Sequence, residues 1–213
     1  MRFKTAKVTA ATIAAAGWAG LALQFYLSTT SGRDATFFLN AFRYFSYFTI
    51  LTNLFVALIV TVPLLPERMG RWLEGPQVKA AGATYITMVA LVYWLLLRRH
   101  WNPQGIQAVA DMLLHAAVPV LYVFYWLAFV EKGALRWRSS QAWLVYPLAY
   151  FAFVLARGAL VGAYPYPFVD VNQLGYVQVT TNAVAFLTAF AVLGSTVVAT
   201  DRAAARFTGR GRR

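Results

Sequence analysis

The chain has no cysteine, only seven acidic residues and only two histidines among its 213 residues. Without cysteine there is no disulfide framework, no thiolate metal site, no cysteine nucleophile and no palmitoylated cysteine. Charged residues of both signs make up 12% of the chain and hydrophobic ones 60%, against about 25% charged in an ordinary soluble domain. That scarcity excludes a soluble globular class. Internal repeats, long linkers and low-complexity tracts are also missing, apart from a short Arg/Gly tail, so one compact domain over residues 1–213 is the economical expectation. The apolar residues run continuously rather than alternating, and the runs are about twice the length of a barrel strand. A transmembrane β-barrel does not fit.

What is present is a series of six apolar stretches near residues 8–27, 45–65, 78–97, 108–130, 141–163 and 176–199. Each is long enough to cross about 30 Å of hydrocarbon as a helix. Charge, proline or glycine bounds them: Arg33 and Arg43, Pro66 to Pro76, Arg98 to Gly105, Glu131 to Ser140, Pro165 to Gly175, and Asp201 onward. The fold expected is all-α, a six-helix polytopic membrane bundle. Arg2, Lys4 and Lys7 precede an apolar run in the manner of a signal peptide, but that run continues to Leu27. A signal h-region is about 7–15 residues, so a retained span is expected.

The net charge of +12 gains meaning from its distribution. With the N-terminus inside, the inner segments hold Arg2, Lys4, Lys7, Arg68, Arg71, Lys79, Lys132, Arg136, Arg138, Arg202, Arg206, Arg210, Arg212 and Arg213. The outer segments hold Arg33, Arg43, Arg98 and Arg99, and Arg157 falls within a span. By the positive-inside rule this bias predicts both termini in the cytoplasm. The basic tail then reads as a topology determinant near anionic lipid, and nucleic acid is not an expected partner. The aromatic residues near span ends, Trp72, Trp101, Trp137, Trp143 and Tyr164, read as interfacial anchors.

Against this background the stretch 108–130 stands out, because it carries Asp111 and His115 one helical turn apart. Ionisable side chains are costly in hydrocarbon and face a bundle interior where they pair. In this topology Thr49, Thr52 and Asn53 share a face of the second span, and Gln178, Thr181 and Asn182 repeat that spacing in the sixth. Arg157 lies near the outer end of the fifth. Four helices thus place polar groups at similar depths in the outer half of the membrane, and a shared outward-opening pocket is expected. The plainer readings are a threonine bonding its own i−4 carbonyl, asparagines as interhelical glue and a snorkelling arginine. His100, beside Arg98 and Arg99, reads as a solvated loop residue.

The chemistry can be narrowed by elimination. Two histidines, one of them interfacial, do not make a bis-histidine haem site. Asp111 and His115 are two ligands where zinc needs three or four. No G-x-S-x-G elbow or phosphate-cradling loop occurs. A hydroxyl nucleophile with a histidine base remains. A threonine hydroxyl needs such a base, an imidazole titrates near neutral pH when unperturbed, and Asp111 is placed to orient the ring. Asn53, Asn182 or Gln178 can supply hydrogen bonds to an oxyanion, with Arg157 and Tyr166 as substrate-binding candidates.

The string Phe45-Ser46-Tyr47-Phe48-Thr49-Ile50-Leu51-Thr52-Asn53-Leu54, then Leu114-His115-Ala116-Ala117-Val118-Pro119, then Tyr166-Pro167-Phe168 resembles the androgen-induced and androgen-dependent membrane hydrolases and their bacterial relatives. The resemblance runs in order through spans two to six. It implies a membrane-embedded threonine hydrolase that cleaves fatty acid esters of hydroxy fatty acids without metal or other cofactor, with Thr49 as nucleophile and His115 as base. The animal members carry an amide where this chain has Asp111 and an acidic residue near Thr52 or Asn53, so the orienting role of Asp111 comes from the residues and not from the resemblance. The loop from Tyr164 to Asp170, stiffened by two prolines, reads equally as a cap over a pocket or as a tight connection.

The residues also leave open a non-enzymatic small-molecule or proton-coupled transporter, with Asp111 and His115 as its titrating relay. The lack of a repeat and the shallow depth of the polar groups count against it. A lipid-binding or scaffolding protein is a third reading. The substrate's chain length and the oligomeric state leave no trace in the sequence.

Overall fold

A computed structural model of the chain describes residues 2–30, 36–66, 70–99 and 101–207. Arg33, Arg68, His100, Arg210, Arg212 and Arg213 lie outside the described residues. The regular secondary structure of the described residues is all helix, with no strand among them. Five helices are long and apolar enough to cross a membrane, or six if one bent pair counts as a single span. The chain is an integral membrane protein by this measure, and it divides into two compact units, Met1–Ala134 and Leu135–Arg213.

In the first unit α1 (Arg2–Thr30), α3 (Phe48–Thr61), α4 (Pro76–Val92) and α6 (Val118–Phe129) pack together, with α5 (Gly105–Met112) against α1. Small residues set the approach of α1. A Cβ on Gly17 would meet Ala57 at 3.4 Å, and one on Gly20 would meet Leu114 at 3.0 Å and Leu113 at 3.1 Å. Close backbone contact of this kind supplies the dispersion that holds helices together in lipid, where water exclusion contributes little. Leu21, Tyr44, Ile50, Ala57 and Leu114 form one buried cluster. The Tyr44 hydroxyl inside it donates to the Leu21 carbonyl at 2.8 Å, which satisfies the polar tip of a buried ring.

The second apolar stretch departs from expectation. Its regular helix starts at Phe48 rather than residue 45, and a separate helix, α2 (Phe37–Tyr44), precedes it at a bend of 74°. The Thr36 hydroxyl caps α2 by accepting from the Leu39 amide at 3.4 Å. Phe37, Phe38, Phe42 and Phe45 are exposed, while Asn40 and Tyr44 are buried. A one-sided eight-residue helix cannot span a bilayer, and its aromatic face suits the interface. By hydropathy alone this segment falls in the connection that Arg33 and Arg43 mark between the first two apolar stretches.

In the second unit α7 (Trp137–Ala142), α8 (Val145–Val161) and α9 (Val171–Phe207) follow one another, with a short 3-10 turn at Pro167–Val169. The other expected spans correspond to Phe3–Thr30, Pro76–Leu97, Gly105–Phe129, Trp137–Val161 and Val171–Phe207. Within the last, Gly175 has φ 73° and ψ 163°, so the helix is broken there and regular backbone resumes where the sixth apolar stretch was read to begin. Past its expected end the helix continues through Asp201, a buried carboxylate that accepts from the Leu135 amide at 3.0 Å. Trp143 is buried among α7 and α9 residues, not an interfacial anchor, with its ring 3.4 Å from where a Gly194 Cβ would stand.

The Tyr164 ring lies against Gly158, where a Cβ would fall 1.9 Å from its nearest carbon. No side chain fits without moving that ring. Gly158→Ala is expected to destabilise the protein by about 1–3 kcal/mol, the usual range for overpacking. Thermal melting checks it, and Tyr164→Ala in the same chain should recover most of the loss, since the two residues are in direct contact.

Candidate functional site

The turn that carries His115 is shaped by a proline four residues on. Pro119 has no N–H to give the His115 carbonyl, and its ring would crowd that carbonyl in a regular α-helix. Residues Leu113–Ala117 instead form a π turn, in which the Val118 amide reaches back to the Leu113 carbonyl. Two carbonyls lose their usual helical donors. Leu114 O has neither Val118, which is diverted, nor Pro119, which has no proton. Buried carbonyls must find partners, and here side chains from two other helices supply them. Asn53 Nδ2 donates to Leu114 O at 3.2 Å, and Trp94 Nε1 donates to His115 O at 3.3 Å.

Trp94 belongs to a second π turn, Tyr93–Leu97, at the far end of α4. Single π turns of this kind recur at functional sites. The Tyr93 ring stacks on the His115 imidazole with centroids 4.0 Å apart and planes inclined by 16°. Its hydroxyl donates to Asp111 Oδ2. His115 Nδ1 lies 3.3 Å from Asp111 Oδ1 and 3.1 Å from the Asp111 main-chain carbonyl. The Trp101 indole approaches the same carboxylate. Asp111 and Tyr93 are buried and His115 is half-buried.

This arrangement fixes the tautomer. Nδ1 faces two acceptors, so it carries the ring proton, and Nε2 is left as the basic nitrogen. Among the described residues no hydrogen bond engages Nε2. The pairing of Asp111 with His115 expected from their i, i+4 spacing is present. The third member, Tyr93, was missed because its span reads as uniformly apolar. A hydroxyl-bearing ring close to the end of that span was the available signal.

Thr49 sits in the first turn of α3, half-buried, with Asn53 one turn further on and fully buried. Asn53 Nδ2 donates to the Thr49 carbonyl at 2.9 Å as well as to Leu114 O. One side-chain amide thus ties the Thr49 turn to the His115 turn. Flipping that amide would set its oxygen against two carbonyls, so the orientation is dictated. Both amide protons are then committed, and the polar atom left over is Oδ1, which is buried and has no hydrogen bond among the described residues. Asn53 in this geometry offers an acceptor, and a donor role toward an oxyanion would require breaking one of its carbonyl bonds. Thr52 is fully buried beside it.

The remaining sequence-derived candidates fall in the second unit. Asn182 Nδ2 donates to the Phe168 carbonyl at 2.8 Å, and Asn182 Oδ1 accepts from Gln178 Nε2 at 3.0 Å. Arg157, buried, donates to the Ala163 carbonyl at 2.9 Å. Tyr166 is buried and stacks on Phe168, with centroids 5.1 Å apart. Thr181 bonds the Val177 carbonyl one turn back, the ordinary behaviour of a threonine in a helix. Together Arg157, Asn182 and Tyr166 hold the connection between α8 and α9 in place.

In the first unit, then, a half-buried histidine with a fixed tautomer stands on a turn linked through one asparagine to a threonine at the start of another helix. Compared with known proteins, the chain matches no family model, no curated protein and no solved structure.

Proposed function

We propose that the protein is a membrane-embedded hydrolase of lipid esters, with Thr49 as nucleophile and His115 as general base. The observation that carries this reading is the Asn53 bridge, which ties the turn of Thr49 to the turn of His115. The held Nδ1 of His115 supports it, because a general base needs its other nitrogen free. The resemblance of the three motifs to the androgen-induced and androgen-dependent membrane hydrolases points the same way.

In the proposed reaction the Thr49 hydroxyl oxygen attacks the ester carbonyl while His115 Nε2 accepts its proton. The tetrahedral intermediate collapses by breaking the ester C–O bond, and the imidazolium returns the proton to the departing alcohol. The acyl group is now on Thr49. Water, deprotonated by His115, attacks the acyl carbon, and the carboxylic acid leaves as Thr49 regains its proton. Asp111 and Tyr93 act through the ring, the first by holding Nδ1–H and the second by stacking and by orienting the carboxylate. No cofactor is required. The oxyanion and substrate-contact roles expected of Gln178, Asn182, Arg157 and Tyr166 form no part of this reaction; in the second unit these residues hold the connection between α8 and α9.

By the positive-inside distribution both termini are cytoplasmic, and the Thr49–His115 end of the first unit opens toward the outer leaflet of a bacterial cell membrane. The substrate enters from lipid.

A fluorophosphonate probe, which modifies activated hydroxyl nucleophiles, tests the proposal. The purified protein is expected to be labelled, with labelling lost in Thr49→Ala and kept in Thr49→Ser. Persistence in Thr49→Ala would remove the nucleophile assignment. Proton-dependent uptake into liposomes that survives Thr49→Ala but fails in His115→Ala would replace the hydrolase with a proton-coupled transporter.

A further inference from the structure

The end of the first unit remote from Thr49 and His115 holds a cavity of about 490 Å³, where α1 begins, α3 ends, α4 begins and α6 ends. Its wall is chemically two-sided. Among the described lining residues, Lys7, Arg71 and Lys79 bring three cations against a single carboxylate, Glu74, and the Tyr125 hydroxyl is also present. The rest is apolar, Phe3 and Phe129 among it. None of the three cations forms an ion pair among the described residues, although Lys79 is half-buried. Lys7 rests over the Phe3 ring, with Nζ 5.1 Å from the centroid. Tyr125 is buried and its hydroxyl makes no hydrogen bond among the described residues.

Cations and a free hydroxyl donor converging beside aromatic side chains suit a ligand with an anionic oxygen-rich head and an apolar body. A soluble anion would use the charge and leave the apolar wall unused. We infer that this cavity binds an anionic phospholipid, its phosphate held by Lys7, Arg71, Lys79 and the Tyr125 hydroxyl and its acyl chains lying on Phe3 and Phe129. Three positive charges against one negative favour a singly charged lipid over a zwitterionic one. The positive-inside distribution puts the cavity at the cytoplasmic leaflet, where anionic lipid and basic residues attract. The inference stands apart from the hydrolase reading, because the two sites share no residue.

The test uses the full chain in nanodiscs of phosphatidylcholine doped with phosphatidylglycerol, with retained lipid read by native mass spectrometry after release into detergent. Preferential retention of phosphatidylglycerol is expected. Arg71→Gln and Lys79→Gln should each lower it about fivefold, the effect of one basic residue near a membrane surface. Glu74→Gln should raise it. Lys4→Gln, on the same end of α1 but outside the cavity wall, should leave it unchanged. The opposite signs at Glu74 and the two cations separate binding from loss of structure, and Glu74 is exposed, so its variant tests the idea even if a cation variant fails to fold. Equal effects of Lys4→Gln and the cavity variants, or no change at Glu74, would overturn the proposal. Displacement of the lipid by millimolar inorganic phosphate would identify free phosphate as the ligand and defeat the lipid assignment.

Discussion

His115→Ala is expected to lower ester turnover by about a hundred- to ten-thousand-fold, the usual contribution of a positioned general base. The structural cost should be small by comparison. The imidazole is half-buried, its main-chain carbonyl keeps the Trp94 indole, and the turn it stands on is dictated by Pro119 rather than by the side chain. Tyr93 loses a stacking partner but retains Asp111. Activity and folding should therefore separate: turnover collapses while the melting temperature moves by a few degrees at most. A variant that loses both together would show that His115 serves structure. Unchanged turnover would exclude it as the base.

Asp111→Asn should be milder, about ten- to a hundredfold in turnover, as for outer partners that orient a functional histidine. The reason is the second acceptor. With the carboxylate replaced by an amide, the main-chain carbonyl of residue 111 still lies 3.1 Å from His115 Nδ1 and can keep the proton on that nitrogen. The amide oxygen can still accept from Tyr93. Asp111→Ala is different, because it leaves the buried Tyr93 hydroxyl without its acceptor, an added cost of about 1–3 kcal/mol. Turnover of the Asn variant and melting of the Ala variant distinguish the two effects. If Asp111→Asn were as inactive as His115→Ala, the negative charge itself would be required and the carbonyl would not suffice.

The parts of the molecule legible in the sequence were those governed by hydropathy and by period. Long apolar runs gave the spans, and Asp111 and His115 announced their pairing through an i, i+4 spacing that any helix converts into contact. What was hidden depends on tertiary neighbours. Nothing in a run such as Val92-Tyr93-Trp94 says that the tyrosine will stack on a histidine of another helix or that the indole will cap a carbonyl orphaned by Pro119. The helix at Phe37–Tyr44 was overlooked because hydropathy windows sized for a bilayer blur an eight-residue amphipathic element into its surroundings. Asn53 was read as a donor from its residue type. Its donors are spent on two main-chain carbonyls, one of which needs a partner only because the proline five residues beyond Leu114 lacks a proton.

The string Leu114-His115-Ala116-Ala117-Val118-Pro119 has a physical logic of its own. The proline and the histidine are parts of one device: the first opens the turn, and the opened turn recruits Asn53 and Trp94, which fix where the second stands.

The central claim is that Thr49 carries the acyl group during turnover, and peptide mapping of the covalent adduct tests it most directly. The protein labelled with a fluorophosphonate is digested and the modified residue is identified by tandem mass spectrometry. The predicted result is a single adduct on Thr49, absent from His115→Ala. An adduct on another residue such as Ser46 or Tyr93, or no adduct in protein shown to be folded, would contradict the account.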